Sequence, residues 1–405
     1  MYIHRHMEKT LQKIEKMFSS IFIAGPRQVG KTTLLKEIKP EISYVTLDDP
    51  LLLDAAVNQT GTFFRINPPP IMIDEVQYAP ELFPYIKMLA DEKREKGMFY
   101  MTGSQQFKLM KNVSESLAGR IGILNLLGLS MREIRDDCFS LPFVPDEHYF
   151  AERRASAKVI EYHDVWKMIH TGGMPEMWAS EMDWNLFYAS YTKTYLERDV
   201  RDLAQVGDEM KFLRFMTVLA ANIGNLLNMA SVARDVGVSA PTIDRWLSIL
   251  QASNIVYLLQ PYYNNLIKRV VKTPKVYFMD TGLAAYLTRW TTPEVLANGA
   301  MAGAFFENFV IAEVIKSYYN QGIEPPLYYY RDKDQKEIDL LIEREGALYP
   351  IEIKKHADPH KRDIAAFSVL DKIANMKRGA GGVVCLYDKM LPLGENDLII
   401  PISYL

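Results

Sequence analysis

The stretch Gly25-Pro-Arg-Gln-Val-Gly30-Lys31-Thr32 decides the fold of the first part of this chain. It fits the pattern G-x-x-x-x-G-K-[ST], in which a glycine-rich turn presents backbone N–H groups to phosphate oxygens. An apolar run at residues 21–25 leads into the pattern, and a helical pattern follows at residues 33–38. A chance match in an ordinary glycine turn would lack this strand and helix. The sequence therefore predicts a nucleotide phosphate site between a strand and a helix N-terminus.

Two side chains of this loop have predicted roles of their own. Lys31 is expected to reach the β- and γ-phosphates, and the Thr32 hydroxyl is expected to coordinate Mg²⁺. The whole predicted nucleotide-binding set consists of Gly25, Pro26, Arg27, Gln28, Val29, Gly30, Lys31, Thr32 and Thr33.

A second apolar run, Ile71-Met-Ile-Asp74-Glu75, delivers two carboxylates to the end of a predicted strand. In open α/β sheets, ligands bind at the carboxyl ends of the strands. Asp74 is therefore predicted to join the Mg²⁺ shell, and Glu75 to act as the general base that polarises the attacking water. The alternative is a pair of solvated loop acids.

A third predicted strand, at residues 98–101, ends in Thr102-Gly103-Ser104-Gln105. A hydroxyl here would hold the lytic water or touch the γ-phosphate; Ser104 is the first choice and Thr102 the second. An ordinary polar turn is the alternative. The sequence has neither an N-K-x-D pattern nor a D-x-x-G at the Mg²⁺ strand, so ATP is favoured over GTP as the nucleotide.

Composition limits the class of protein. The chain has 405 residues, which suggests two to four domains, and its net charge of −3 gives no overall attraction to nucleic acid or anionic membranes. The N-terminus lacks the apolar core of a signal peptide, and polar residues break the apolar stretch at 212–227. We expect a cytoplasmic protein with no membrane contact.

Three regions differ in their patterns. Short apolar strands alternate with helices over residues 1–146, which predicts a parallel α/β P-loop domain. Residues 147–298 have mainly helical periodicity. After the small-residue junction at 299–303, residues 299–405 combine a helix with several strands, which predicts a second α/β unit.

Several motifs together resemble one family of proteins. GPRQVGKTT, IMIDEVQ, MTGSQQF and SESLAGR, with TGGMPE, YLERDV and KVYFMDTGL further along, resemble bacterial and archaeal AAA-type ATPases. This family has a P-loop domain, a winged-helix region and a C-terminal domain of unassigned function. The resemblance implies that Arg120 is an arginine finger acting on the nucleotide of a neighbouring subunit, and hence a homo-oligomer. A structural ion pair is the alternative role for Arg120.

The middle region contains a predicted helix pair followed by a hairpin. One helix is predicted at residues 229–236 and a second at 239–251, with Ser239 as its N-cap, and a hairpin strand follows from residue 255. Contact with DNA is one role for this module, and packing against the ATPase is the other. A basic cluster after the hairpin strand is predicted to meet phosphates: Lys268, Arg269, Lys272 and Lys275.

The third region carries a set of polar residues on two predicted strands. Asp339 begins one strand, and Glu352 and Lys354 share a face of the next, so hairpin pairing would bring Asp339 near Glu352. The set resembles the D…E-x-K core of the PD-(D/E)xK, restriction-endonuclease-like superfamily. That resemblance implies Mg²⁺ ligation by Asp339 and Glu352, support from Glu307, and activation of water by Lys354. An ordinary surface E-x-K pair and a silent nuclease-like site are the alternatives.

Two functional hypotheses follow. In the first, a Mg²⁺-dependent ATPase drives a module that faces DNA or RNA and has nuclease chemistry. In the second, a switch-type ATPase uses a silent nuclease-like domain to bind a protein partner. The charge balance favours the second hypothesis, and the Asp339, Glu352 and Lys354 set favours the first.

Overall fold

A parallel sheet forms the centre of the N-terminal region in the computed structural model, which describes residues 2–103, 117–195, 209–263, 273–373 and 375–405. Its strands are short and mostly buried because helices cover both faces. They lie where the sequence predicts them: β1 (Ser20–Ala24), β2 (Ser43–Thr46), β3 (Ile71–Asp74), β4 (Phe99–Gly103) and β5 (Ile121–Asn125).

The strand order β2-β3-β4-β1-β5 places β4 between the phosphate-loop strand β1 and the acidic strand β3. All neighbouring pairs are parallel, so the carboxyl ends of β1, β3 and β4 meet at one edge of the sheet. The helices of this region are α1 (Met7–Ile14), α2 (Lys31–Ile38), α3 (Pro50–Asn58), α4 (Thr60–Ile66), α5 (Leu82–Lys93) and α6 (Met131–Ile134), with a 3₁₀ turn at Val76–Tyr78.

Helices dominate the middle region. They are α7 (Glu147–Arg154), α8 (Tyr162–Thr171), α9 (Glu176–Ala179), α10 (Trp184–Tyr195), α11 (Glu209–Ala221), α12 (Met229–Val236), α13 (Ala240–Ala252), α14 (Thr281–Leu287) and α15 (Pro293–Asn298). The predicted helix pair is present as α12 and α13. Gly237 ends α12 in a left-handed conformation, and the Ser239 side chain caps α13 by accepting from the Thr242 N–H, as predicted.

A second sheet in the described residues begins before the predicted boundary at 298/299. The hairpin strands β6 (Val256–Pro261) and β7 (Lys275–Phe278) are antiparallel, and β6 then pairs in parallel with β8 of the third region. By its strand pairing, the hairpin belongs to the C-terminal sheet. The remaining strands are β8 (Leu327–Arg331), β9 (Glu337–Arg344), β10 (Ala347–Lys354), β11 (Lys377–Arg378), β12 (Gly381–Cys385), β13 (Leu391–Pro392) and β14 (Asp397–Pro401).

Helix α16 (Ala302–Tyr319) lies at the centre of the molecule, and 15 of its 18 residues are buried. A helix that is apolar on nearly every side must be surrounded by protein. Near its N-terminus, the Asn308 side chain pairs with both the N–H and the carbonyl of Phe278 on β7. Near its C-terminus, Glu313 accepts from the N–H of Met131 in the N-terminal region. The helix thus joins all three regions into one core.

Two further 3₁₀ segments, Lys361–Lys372 and Ile402–Tyr404, complete the described elements. Among the helices of the described ranges, none is both long and apolar enough to cross a membrane.

Candidate functional site

The phosphate loop has the backbone shape that the glycine pattern requires. Gly30 has a φ of 87° and ends the loop, and α2 begins at Lys31. Gly25 has a φ of 153°, and a Cβ atom there would lie 2.0 Å from the carbonyl oxygen of Leu126. Only glycine allows this close approach of two backbones. The Lys31 ammonium donates to the carbonyl oxygens of Gly25 (3.0 Å) and Pro26 (2.7 Å), so it already lies inside the loop.

Three hydroxyl groups donate hydrogen bonds to the Asp74 carboxylate. Thr32 Oγ1 donates to Oδ2 at 2.8 Å, and Tyr44 Oη donates to the same oxygen at 2.9 Å. Thr102 Oγ1 donates to Oδ1. A hydroxyl and a carboxylate in contact at a strand edge are the hard oxygen donors that Mg²⁺ prefers, so Thr32 and Asp74 fit the predicted metal role.

Tyr44, on β2, was not predicted from the sequence as a site residue. Burial, followed by the charge of Asp74, raises the pKa of Tyr44 to about 12, which keeps its phenol protonated as a donor. The Lys36 ammonium lies 3.5 Å from the centre of the Tyr44 ring. The Tyr44 hydroxyl therefore helps to orient the Asp74 carboxylate.

Glu75 follows Asp74 in a left-handed backbone conformation, with φ of 55°. Its carboxylate accepts from the Gln77 side chain, and Oε1 lies 3.8 Å from Nη1 of Arg27 in the phosphate loop. A left-handed glutamate is uncommon and costs backbone energy, which is a frequent feature of active sites. The Glu75 carboxylate therefore lies beside the phosphate loop.

Only one of the two candidate hydroxyl groups at the end of β4 lies in the described residues. Thr102, the second choice, lies at the sheet edge against Asp74. Ser104, the first choice, lies outside the described residues.

Arg120 lies at the opposite edge of the sheet from the phosphate loop of its own chain. Its carbonyl accepts from the N–H of Ser20 at the start of β1, and the loop follows the end of that strand, about 16 Å away. The guanidinium makes two hydrogen bonds to Asp91, at 2.5 and 3.0 Å. An ion pair is thus observed, and Arg120 lies away from the phosphate loop of its own chain.

A cavity of about 220 Å³ lies beside the phosphate loop. Tyr2, Ile3, Gly30, Thr33 and Pro175 line it, so it is bounded by the N-terminus, the loop and the middle region. Nothing in the sequence pattern located this cavity, because its walls come from three distant segments.

The TGGMPE and DTGL motifs meet at one junction, for which the sequence offered no chemistry. The Gly173 N–H donates to Asp280 at 2.8 Å, and the Gly173 carbonyl accepts from the Leu129 N–H at 2.6 Å. The Leu129 carbonyl in turn accepts from the Lys316 ammonium on α16. These contacts fasten the segment that carries Pro175 to both the ATPase region and α16. The Arg198–Asp199 pair lies outside the described residues.

The predicted C-terminal residues come together on β9 and β10. These strands are antiparallel, and the register that pairs Ile351 with Leu340 brings Glu352 opposite Asp339. The Lys354 ammonium lies 2.7 Å from Glu352 and 3.4 Å from Asp339. Burial, and then the charge of Asp339, raise the pKa of Glu352 to about 9. Both carboxyl groups are buried, which is not the environment of an ordinary surface pair.

A second ammonium group reaches this site from the hairpin. Lys275 on β7 contacts Glu337 at 2.6 Å and Glu307 on α16 at 3.4 Å, and Glu307 also accepts from the Tyr277 hydroxyl at 2.6 Å. Burial lowers the pKa of Lys275, but the carboxylates of Glu307, Asp339 and Glu337 outweigh it and hold that pKa above its ordinary value. Burial and Asp339 raise the pKa of Glu307 to about 7.

Lys275 corrects one prediction. The sequence placed it in an exposed basic cluster that meets phosphates, whereas its side chain is 4% exposed and paired with carboxylates. The pattern misled because alternation along a short basic segment cannot show which residue turns inward. Lys268, Arg269 and Lys272 lie outside the described residues.

Glu307, Asp339, Glu352 and Lys354 therefore share one buried site, together with Lys275, Glu337 and Tyr277, which the sequence did not indicate. Within the described ranges, no group of three or more His, Cys, Asp or Glu side chains has the arrangement of a metal site. The two ammonium groups occupy positions between the carboxylates.

Three families match successive parts of the chain. Residues 18–135 match a family described as AAA domain. Residues 162–294 and 302–405 match two families described as domains of unknown function, DUF8612 and DUF4143. The AAA match, together with the loop geometry, supports an AAA-type P-loop ATPase that hydrolyses ATP.

Relatives and solved structures of similar chains extend over most of the sequence. Uncharacterized proteins of Mycobacterium bovis and Mycobacterium tuberculosis are each 28% identical over 390 residues, covering 94% of this chain and 79% of theirs. A Walker-type ATPase of Pyrococcus abyssi is 15% identical with a TM-score of 0.43, covering 69% of this chain and 94% of that one. The RuvB Holliday junction branch migration motor of Thermotoga maritima is 15% identical with a TM-score of 0.28, covering 62% and 86%.

Proposed function

We propose that this chain is a Mg²⁺-dependent ATPase whose nucleotide cycle drives a C-terminal module that acts on nucleic acid. The observation that carries the ATPase proposal is the contact of Thr32, Tyr44 and Thr102 with the single carboxylate of Asp74, at the edge where the phosphate loop ends. The cavity between Tyr2, Thr33 and Pro175 offers room for the base of ATP beside the loop.

The residues of the nucleotide site would have different roles in ATP hydrolysis. Lys31 would leave the carbonyls of Gly25 and Pro26 to bind the β- and γ-phosphates. Thr32 and Asp74 would hold Mg²⁺, which would offset the negative charge that develops on the phosphate oxygens. Glu75 would accept the proton of the attacking water, and Thr102 would keep Asp74 in place.

Steady-state hydrolysis and nucleotide binding test the ATPase roles together. Glu75→Gln should lose about 100-fold or more of its turnover yet still bind ATP, because the amide cannot accept the proton. Lys31→Ala should lose binding itself. Glu81→Gln and Lys87→Ala, on the exposed surface of the same region, are the matched controls. Wild-type turnover by Glu75→Gln would remove Glu75 from its role as base.

The nuclease proposal has one supporting observation, the convergence of Asp339, Glu352 and Lys354 at a buried edge of the sheet. Two carboxylates and a lysine are the groups that PD-(D/E)xK chemistry uses. In that scheme Asp339 and Glu352 would hold a Mg²⁺ ion, Glu307 would support them, and Lys354 would activate a water. A Mg²⁺ ion would have to compete with two ammonium groups, because Lys275 and Lys354 already contact the carboxylates.

Cleavage of single- and double-stranded DNA and RNA, with and without ATP, tests the nuclease proposal. Cleavage that Glu352→Ala abolishes and that Lys31→Ala leaves intact would support a nuclease independent of the ATPase. Glu395→Ala, on an exposed loop of the same region, is the control. Cleavage that survives Glu352→Ala would exclude this site as its source.

The second candidate function is a switch-type ATPase with a silent C-terminal site that binds a protein partner. The observation that favours it is the set of carboxylate–ammonium contacts at Lys275 and Lys354, which balances much of the charge without a metal. It predicts nucleotide-dependent assembly and no effect of nucleic acid on ATP turnover. Stimulation by DNA at physiological salt would contradict it. For both functions we propose a cytoplasmic homo-oligomer, in which Arg120 serves the neighbouring subunit.

A further inference from the structure

A cavity of about 600 Å³ lies at the C-terminal sheet, apart from the nucleotide site. Strands β6 and β8 are parallel, and both end here, at Pro261 and Arg331. Ligands of open α/β sheets bind outside the carboxyl ends of parallel strands, so this is a favourable position for a binding site. The volume is within the range of sites for small molecules and nucleotides.

Four tyrosines are among the described residues that line this cavity, which we call the tyrosine cavity: Tyr262, Tyr263, Tyr329 and Tyr330. Tyr329 is held in place because its hydroxyl donates to the carbonyl of Thr273 at 2.5 Å. Tyr263 and Tyr330 are half-buried, so part of each side chain is accessible. Aromatic side chains in a recess can stack with the flat faces of nucleobases.

Among the described residues, two basic side chains also line the cavity, and acidic neighbours offset their charge. Arg331 lies 3.3 Å from Glu337, and the exposed Lys333 lies between Asp332 and Asp334 in sequence. Among the described residues, the charge around the cavity is therefore nearly balanced. The described basic residues offer a ligand one or two phosphate contacts, so stacking on the tyrosines is expected to supply much of its affinity.

The tyrosine cavity and the acidic site share one edge of the sheet. Arg331 at the end of β8 pairs with Glu337 at the start of β9, and Asp339 follows two residues later. Glu352 is on the next strand, so the two sites are separated by about two strand widths, or about 10 Å. Lys275 connects them, since its ammonium lies 2.6 Å from Glu337 and 5.7 Å from the centre of the Tyr329 ring.

We propose that the tyrosine cavity binds an unstacked base of single-stranded nucleic acid and leads the strand to the acidic site. A duplex does not fit this role, because its base faces are covered by stacking and only its edges and backbone are accessible. DNA and RNA strands share the chemistry of the base face, so both should bind. The binding step stands independently, and only the delivery to the acidic site rests on the nuclease function proposed above.

Binding is measured on the full wild-type chain in EDTA, so that cleavage plays no part. Fluorescently labelled single-stranded DNA and RNA should bind, and the matched duplex should bind at least about tenfold more weakly. In a logarithmic plot of affinity against salt, the two described basic residues should account for a slope of about −1.4, the value for two phosphate contacts on a single strand. Equal binding of duplex, or inhibition by AMP at the same concentration as by an oligonucleotide, would overturn the proposal.

Variants separate stacking from a change of fold. Tyr263→Ala and Tyr330→Ala should each weaken single-strand binding about tenfold or more, whereas Tyr263→Phe and Tyr330→Phe should retain it because the ring remains. Tyr162→Ala, at an exposed tyrosine of another region, is the control for ring loss. Lys333→Ala should reduce the salt slope and Lys336→Ala, on the same turn, should not. Unchanged affinity in both Tyr→Ala variants would overturn the proposal.

Photocross-linking gives a result that does not depend on the folding of any variant. A single strand carrying 5-iodouracil should cross-link to wild-type protein at a tyrosine of the cavity, identified by mass spectrometry. Cross-links confined to other regions would overturn the proposal even if cleavage activity were present. Loss of cleavage in Glu352→Ala with retained cross-linking would support the binding step alone.

Discussion

Arg5 donates a hydrogen bond through Nη1 to the carbonyl oxygen of Val29, 2.9 Å away, and so holds the phosphate loop from the N-terminal segment. The same guanidinium donates to the carbonyl of Leu127 and forms an ion pair with Glu133, 3.1 Å away. All of these groups are buried. Arg5 therefore fixes the loop relative to β5, and it also lines the cavity beside the loop.

Removing this guanidinium should cost both stability and nucleotide affinity. Arg5→Gln leaves the buried Glu133 carboxylate without its ionic partner, which typically costs about 3–5 kcal/mol of unfolding free energy. Urea unfolding and ATP titration measure the two effects, with the exposed Lys9→Gln as control. Normal stability in Arg5→Gln would mean that Glu133 finds another partner.

The Tyr44 hydroxyl should lower the Mg²⁺ concentration that ATP hydrolysis requires. Tyr44→Phe removes only the donor to Asp74, and loss of a group that orients a metal ligand typically costs 10–100-fold in metal affinity. The Mg²⁺ concentration for half-maximal ATP hydrolysis should rise about tenfold, with little change in thermal stability. Tyr162→Phe is the control. An unchanged Mg²⁺ response would show that Thr32 and Thr102 are sufficient to hold Asp74.

Arg120 should act between subunits and not within its own. Arg120→Ala and Lys31→Ala should each be nearly inactive, since a finger contributes about 10³-fold or more to turnover. Mixing the two should restore part of the activity, because some interfaces then combine an intact Arg120 with an intact Lys31. Asp91→Asn breaks the observed ion pair alone and should remain active. If it loses as much activity as Arg120→Ala, the ion pair is the function of Arg120.

The buried carboxyls of the C-terminal site should make stability depend on pH in metal-free buffer. Burial and Asp339 raise the pKa of Glu352 from 4.5 to about 9, so the folded state binds this proton more tightly than the unfolded state. That contribution is complete below pH 4.5 and is lost as pH rises toward 9. Urea unfolding in EDTA from pH 5 to pH 9 should show a decline that Glu352→Gln reduces. A decline of equal size in both proteins would assign it to other groups.

The sequence alone located the parts of both sites that lie within short motifs. Lys31, Thr32 and Asp74 are placed by patterns of residues at the ends of strands, and Asp339 and Glu352 by one hairpin. The positions of β1 to β5 followed from apolar runs. The structure brings these residues together as expected, because each placement depends on neighbours within a few residues along the chain or across one turn.

The residues that the sequence did not indicate have partners far away along the chain. Tyr44 meets Asp74 from the neighbouring strand, Arg5 meets Glu133 at a separation of 128 residues, and Lys275 reaches Glu307 from another region. No local pattern marks such pairs. Gly173 is a similar case, since a Cβ atom there would lie 2.6 Å from the Leu129 carbonyl, a contact that only the assembled fold creates.

The burial of α16 has a consequence for how the chain is made. The helix is synthesised only after residue 301, yet its Glu313 and Lys316 side chains make contacts that complete the N-terminal region. While the ribosome is still translating the middle region, the surfaces that α16 will cover must remain exposed. Chaperones can bind these surfaces during that time. Ribosome-bound chains stopped at residue 298 should therefore be digested by protease faster than full-length chains still tethered by a linker. Equal digestion would mean that the first two regions fold without this helix.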